Sequence, residues 1–271
     1  VSSYDFGCAP WSQVPEDEWK GQDENAFNLG EFVWTGFDYL GEPTPYGWPS
    51  RSSYFGVFDL AGFPKDSYWL YKSEWTDETT LHLFPHWNWS EGDKVDIWAY
   101  YNNADEVELL VNGKSLGRRS KTKDVLHAEW LSVPFEAGKI EAVSYKDGKE
   151  VARDARYTTG PAVSLKLTAD RDVISADGYD LSFVTVEALD ANGRDVPTAD
   201  DMLTFSVDGA GELFGVDNGN AADTLSLKGS RKALFSGKAL AVIRSKKGEK
   251  GSATLTVSAP YGMVKLNIKA E

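Results

Sequence analysis

After about residue 79 the chain is written in a period of two, and that rhythm constrains its fold more than any other feature. Side chains alternate across a strand, so alternating apolar and polar residues give one face to a core and the other to water. Lys94–Tyr100 reads this way, and so does Glu106–Val111, which ends on Asn112-Gly113. Asn-Gly tolerates positive φ at both positions and favours a tight hairpin. Ile140–Tyr145 and Glu150–Tyr157 flank a similar turn at Asp147-Gly148. Further on, Leu181–Leu189, Leu203–Val207, Ala239–Ser245 and Ala253–Ala259 read as strands, with Asn192-Gly193 and Asp208-Gly209 as turns. No helix is expected there. Short strands at this spacing predict β-sandwiches, and Pro161 marks a boundary between two of them.

The residues before this stretch differ in kind. Of the 10 tryptophans, all but Trp130 lie between Trp11 and Trp98, a composition shift that separates domains. Pro10, Pro15, Pro43, Pro45, Pro49 and Pro64 make much of the first region loop. Phe32-Val33-Trp34, after Gly30-Glu31, reads as a short buried strand of the kind found in parallel sheets covered on both faces. Pro64-Lys65-Asp66 opens a predicted helix over Ser67–Trp75, with proline near its start and an acid in its first turn. Trp34, Trp48, Trp69, Trp75, Phe37, Tyr39, Tyr46, Tyr54 and Phe55 are more aromatics than so short a region can bury alone. It should need a partner surface.

Composition narrows the function classes. The chain has 271 residues and a net charge of −14, which argues against nucleic acid, whose phosphates require a basic face. No apolar run approaches the roughly 20 residues of a membrane helix, so no membrane insertion is expected. A single cysteine, Cys8, excludes an internal disulfide framework, and with no histidine near it in sequence it is a poor candidate nucleophile. Cysteine poverty fits a bacterial periplasmic or secreted protein. The start at Val1, with no initiator Met, reads as an internal cut, so a missing signal peptide says nothing about location.

The segment Gly30–Tyr46 is the one that could carry chemistry. It places a tryptophan and several carboxylates at the end of the predicted strand, and in barrel enzymes that end holds the active site. A flat indole packs against the C–H face of a pyranose while carboxylates take the hydroxyls. The plain alternative is a core tryptophan among solvated acids. Glu31, Asp38, Glu42 and Asp59 are candidate catalytic carboxylates by type. A retaining glycosidase needs two carboxyl groups about 5–5.5 Å apart and an inverting one about 6.5–9.5 Å, separations that sequence does not set. Elsewhere, His82 and His86 share a possible metal spacing but lack further ligands. Asp190, Asn192 and Asp195 resemble part of a calcium loop but fit a hairpin turn better. Arg118, Arg119, Lys121 and Lys123 read as a solvated strand end.

Gly30–Tyr46, followed by Ser52–Asp66, closely resembles the last βα unit of family 2 glycoside hydrolases, bacterial β-galactosidases in particular. Leu83-Phe84-Pro85-His86-Trp87-Asn88-Trp89 and Val107–Gly117 look like the β domain that follows the barrel in that family. Ala176-Asp177-Gly178 and Phe214-Gly215-Val216-Asp217-Asn218-Gly219 look like its C-terminal immunoglobulin-like domain. The resemblance covers nearly the whole chain in matching order.

It implies a mainly β chain: residues 1–78 as the C-terminal remnant of a (β/α)8 barrel, then two immunoglobulin-like β-sandwich domains over 79–160 and 161–271. It also implies part of a retaining glycosidase acting on terminal β-linked sugars, most often galactose, in carbohydrate catabolism. Both catalytic glutamates would lie upstream of residue 1, leaving this chain inactive alone. Phe32–Trp34 would be the eighth barrel strand. Trp34 would stack the sugar, and Asp38, Glu42 and Tyr46 would shape the substrate-binding rim. No cofactor or metal is implied. The partners would be a carbohydrate substrate and the remainder of the parent enzyme, and a homo-oligomer is compatible. The rival reading is a non-catalytic, carbohydrate-binding or adhesin-like tandem of immunoglobulin-type modules. A third role for the residues after about Thr79 is scaffold, shielding the barrel or mediating dimerisation.

Overall fold

A computed structural model describes residues 13–271; Cys8 lies outside the described residues. The chain forms two compact units. The first takes the residues up to Gly47 together with Ser52–Thr158, and the second takes Trp48–Arg51 together with Thr159–Glu271. No helix among the described residues is long and apolar enough to cross a membrane.

The first unit opens with helix α1 (Pro15–Asp23), where Pro15 occupies the first turn beside Glu16, Asp17 and Glu18. Proline fits there because that N–H would be unpaired anyway, and acids complement the helix dipole. Helix α2 (Asp66–Trp75) follows after an irregular stretch, one residue longer at its start than predicted. Then come β1 (Leu81–Phe84), β2 (Lys94–Tyr101), β3 (Glu106–Val111), β4 (Lys114–Arg119), β5 (Ala128–Pro134), β6 (Lys139–Lys146) and β7 (Lys149–Tyr157). They make two antiparallel sheets, ordered β1-β2-β5 and β4-β3-β6-β7. The hairpins turn where the sequence indicates, with Asn112 and Gly113 at φ 49° and 81° and Asp147 and Gly148 at 51° and 72°. Leu83, Trp87, Ile97, Val107, Leu109, Trp130 and Ile140 fill the space between the sheets.

Strand β2 is buried on both faces. Val95, Ile97, Ala99 and Tyr101 enter the sandwich core, while Trp98 and Tyr100 point the other way and join Trp19, Leu70 and Phe84 in a second cluster. The two helices therefore cover the outside of that sheet. A histidine ties each helix down. The Asp66 carboxylate of α2 lies 2.7 Å from His82, whose ring stacks on Trp69. Glu16 of α1 lies 2.7 Å from His127 and accepts the Leu126 N–H. The sandwich thus provides a partner surface for Trp19, Trp69 and Tyr71 but leaves Phe27, Phe32, Trp34 and Phe37 exposed.

The second unit contains β8 (Ser164–Ala169), β9 (Val173–Ile174), β10 (Leu181–Leu189), β11 (Met202–Gly209), β12 (Gly211–Asp217), β13 (Arg231–Ala233), β14 (Lys238–Ser245), β15 (Gly251–Ala259) and β16 (Gly262–Ala270). Its sheets run β12-β14-β10-β8 and β13-β11-β15-β16-β9. Val184, Val186, Leu203, Phe205, Ile243, Leu255 and Ile268 form the core between them.

Two expectations fail. No strand forms at Phe32–Trp34, and Phe32 is fully exposed. A covered parallel strand needs hydrogen-bonded neighbours on both sides. Here pairing begins only at Thr35, whose N–H donates to the Phe55 carbonyl, and continues to a bridge between Phe37 and Phe58. Asp208-Gly209 is not a free turn either. These residues end β11, opposite Thr254 and Ala253.

Candidate functional site

The loop after Gly30 carries the four residues singled out from sequence. Its backbone is laid against Ser53–Phe58. Val57 donates to the Thr35 carbonyl, Phe58 to Gly36, Asp38 to Phe58 and Ser53 to Tyr39, each within 2.9–3.0 Å. Gly56 makes that approach possible. A Cβ there would lie 2.2 Å from the Asp38 nitrogen and 2.3 Å from the Phe58 oxygen.

Asp38 faces inward, with 5% of its surface exposed. Its Oδ1 accepts the Gly56 N–H at 2.8 Å and the Lys65 ammonium at 2.9 Å, and its Oδ2 lies 2.8 Å from the same ammonium. Lys65 also donates to the Tyr54 carbonyl at 3.1 Å. Burial pushes the Asp38 carboxyl above the usual carboxylate range, against the opposing hydrogen bond and charge of Lys65. The group is committed to seating the loop.

Trp34, by contrast, is 74% exposed. Its indole N–H donates to the Tyr39 hydroxyl at 3.3 Å, and the two rings meet edge to face with centroids 6.2 Å apart. The Tyr39 hydroxyl in turn donates to the Glu42 carboxylate. That bond is the main reason the Tyr39 phenol is held above its ordinary value. The relay Trp34–Tyr39–Glu42 fixes the plane of an exposed indole and sets a carboxylate beside it. Both groups a sugar needs are present: a flat apolar platform and a hydroxyl acceptor. Tyr46 is partly exposed and packs on Tyr54 with centroids 4.5 Å apart. The structure thus joins Trp34 to Glu42 through Tyr39, which sequence reasoning passed over. Asp38 serves the same loop from its buried side, paired with Lys65, also passed over. The spacing of Trp34, Tyr39 and Glu42 within nine residues was the available signal.

Glu31 is partly exposed, and the other candidates have structural partners. Asp59 accepts the Ala61 and Phe63 N–H groups and closes a turn. His82 is taken by Asp66 and Trp69, and His86 stacks on Trp89. Asp190 accepts the Asn192 and Arg194 N–H groups, the geometry of a side-chain-capped turn. Among the described residues no group of three or more His, Cys, Asp or Glu is arranged to hold a metal ion. Of the basic cluster, Arg118 pairs with Glu106 and lies over the Tyr145 ring, and Lys121 pairs with Glu74.

The chain is similar to known proteins over most of its length. Residues 165–263 match Glycoside hydrolase family 2 C-terminal domain 5, and residues 92–152 match a domain of unknown function, DUF4982. Over 95% of its length the chain is 51% identical to a beta-galactosidase of Bacteroides ovatus. Residues 165–263 are thus a glycoside hydrolase family 2 C-terminal domain, and the chain as a whole is similar to the corresponding part of family 2 enzymes. A crystal structure of a beta-glycosidase from Bacteroides vulgatus superposes with a TM-score of 0.90 at 36% identity, covering 100% of this chain. A beta-glucuronidase of family 2 gives 0.82 at 26% identity over 94% of the chain. The chain spans only 30%, 34% and 27% of these three proteins. Its two sandwiches therefore correspond to part of a longer family 2 architecture.

Proposed function

We propose that this chain is part of a retaining glycoside hydrolase that removes terminal β-linked sugars, galactosides foremost, in bacterial carbohydrate catabolism. The observation that carries the reading is the exposed Trp34 indole, held by Tyr39 with the Glu42 carboxylate beside it. In this reading Trp34 stacks the apolar face of the sugar, Glu42 accepts a hydroxyl, Tyr46 borders the rim and Asp38 seats the loop. Residues 1–78 are then the last piece of a catalytic barrel, and the sandwiches over 79–160 and 161–271 are immunoglobulin-like scaffold. The nucleophile and the acid/base come from elsewhere in the parent enzyme. Asp38, Glu42 and Asp59 support this, because each is already engaged by Lys65, Tyr39 or a turn. The protein is exported, and the remainder of the parent enzyme is its partner.

Galactose is favoured over glucuronate on charge. A uronate carboxylate beside Glu42 would meet a like charge, and the Lys65 ammonium is held by Asp38. The beta-galactosidase name of the relative at 51% identity points the same way. The test compares the parent enzyme and the 271-residue chain on nitrophenyl β-galactoside and β-glucuronide. The parent should hydrolyse the galactoside with anomeric retention and the chain should hydrolyse neither. A parent preference for the glucuronide defeats the sugar assignment, and turnover by the chain alone defeats the assignment of the catalytic carboxylates.

A further inference from the structure

An indole N–H can only donate, an ionised carboxylate can only accept, and a phenol does both. Those capacities fix the direction of the two bonds that meet at Tyr39. The Trp34 indole donates to the phenol oxygen at 3.3 Å, and the phenol commits its one proton to Glu42 Oε2. A hydroxyl that donates to a charged acceptor becomes a better acceptor itself, so each bond strengthens the other. The Tyr39 phenol is held above its ordinary value mainly by Glu42, which is the same coupling seen from the phenol.

Trp34 and Glu42 are exposed, so packing alone does not orient them. Glu42 also sits at φ 48°, a left-handed conformation uncommon for a residue with a side chain. Tyr39 between them is fixed from below. Its N–H donates to the Ser53 hydroxyl at 3.1 Å. Its carbonyl accepts the Ser53 N–H at 2.9 Å and the Ser52 hydroxyl at 3.1 Å. Both serines are 0% exposed. Tyr39 is therefore a post with a buried foot, and its hydroxyl sets the spacing between an exposed ring and an exposed carboxylate.

We propose that Tyr39 is a positioning residue of this glycosidase, one that makes sugar stacking on Trp34 and hydroxyl capture by Glu42 act as a single coupled contact. The inference rests on the glycosidase reading above and deepens it. Without the phenol both groups can still touch a sugar, but not at one fixed spacing. Ground-state binding tolerates that slack, whereas the reacting bond does not, so the loss falls on kcat.

The experiment has a kinetic arm and a spectroscopic arm. On whichever nitrophenyl β-glycoside the parent enzyme turns over, Tyr39→Phe should lower kcat per folded molecule by about tenfold or more and move KM by less than about threefold. Trp34→Phe and Glu42→Ala should be non-additive in the wild-type background, the double variant losing less than the product of the single losses by about threefold or more. In the Tyr39→Phe background the two losses should multiply. In the 271-residue chain, the ¹⁵N-labelled indole resonance of Trp34, assigned by its disappearance in Trp34→Phe, should shift in Tyr39→Phe. It should also shift in Glu42→Ala, although Glu42 does not touch the indole, and that second shift should vanish in the Tyr39→Phe background. Near-normal kcat in Tyr39→Phe, or additive single losses in the wild-type background, overturns the positioning role. An indole resonance indifferent to Glu42→Ala overturns the coupling. If the parent turns over no β-glycoside, the glycosidase reading falls, and the resonance arm still decides whether Tyr39 couples the two groups.

Discussion

Replacing Trp34 by Phe separates a platform from a core residue, because the two roles move different quantities. A tryptophan can bury up to about 250 Å². At 74% exposure only about a quarter of that, roughly 60 Å², is removed from water, worth about 1.5 kcal/mol at about 25 cal/mol per Å². Phenylalanine keeps part of this area. What it loses outright is the indole N–H bond to Tyr39, an exposed neutral hydrogen bond worth about 0.5 kcal/mol. The expected loss of stability is therefore about 1 kcal/mol, or about 2–4 °C in melting temperature for a unit of this size. A core tryptophan truncated to alanine would instead lose about 3–5 kcal/mol. The catalytic effect should be larger. A sugar displaced by about 1 Å can lose about 10²-fold in rate, which corresponds to about 2.7 kcal/mol of activation free energy. The assay has two arms: tryptophan-fluorescence unfolding of the 271-residue chain, and kcat/KM of the parent enzyme per folded molecule. Near-normal kcat/KM with a melting temperature lowered by 8 °C or more, on the scale of about 3 kcal/mol, would refute the platform.

Gly56→Ala should destabilise the first unit by about 3 kcal/mol or more, since its methyl would collide with backbone atoms of Asp38 and Phe58 that cannot step aside. Denaturant unfolding read by tryptophan fluorescence checks this, and a variant within about 0.5 kcal/mol of wild type would show that the close approach is unnecessary. Acid sensitivity of the second unit follows from its turn carboxylates: the Arg194 N–H holds Asp190 below its ordinary value, and the Tyr179 and Asp180 N–H groups do the same for Asp177. A carboxyl with a lowered folded pKa makes the unfolded chain bind more protons, so stability present above about pH 4 drains away as pH falls further. Asp190→Asn should flatten that loss, and circular-dichroism melts at descending pH that run parallel to wild type would contradict the assignment.

How much of this was legible in the sequence depends on whether the deciding contact is local. The strands were legible because alternation and Asn-Gly or Asp-Gly turns act within a few residues, and β3 and β10 have the expected bounds. Helix α2 was legible from Pro64 and Asp66 for the same reason. Helix α1 carried equally good signals in Pro15 and Glu16-Asp17-Glu18, but they were submerged in a proline-rich region read as loop. The failure at Phe32–Trp34 is of another kind. A short apolar run is compatible with burial on both faces or on neither, and only the presence of neighbouring strands decides. Trp98 and Tyr100 show the same ambiguity resolved the other way. They sit on the face of β2 that a free-standing sandwich would give to water, and they are buried because α1 and α2 arrive there.

The candidate site divides along the same line. Trp34, Tyr39 and Glu42 lie within nine residues, so their relay is set by a single turn of chain and can survive small shifts elsewhere. Asp38 depends on Lys65 and Gly56, 27 and 18 residues away, and no spacing rule could have picked those partners. This explains why a carboxylate predicted to line the rim is found beneath it. An acid in a loop is assumed to face solvent because burying its charge is costly, and that assumption fails when a distant lysine offsets part of the cost. The buried pair and the exposed relay are then complementary parts of one loop. Asp38 and Lys65 anchor the backbone between Trp34 and Glu42 from below, and the relay orients the side chains above it. Disturbing the anchor should move Trp34 and Glu42 together, whereas disturbing Tyr39 should uncouple the indole from the carboxylate and leave the backbone where it is.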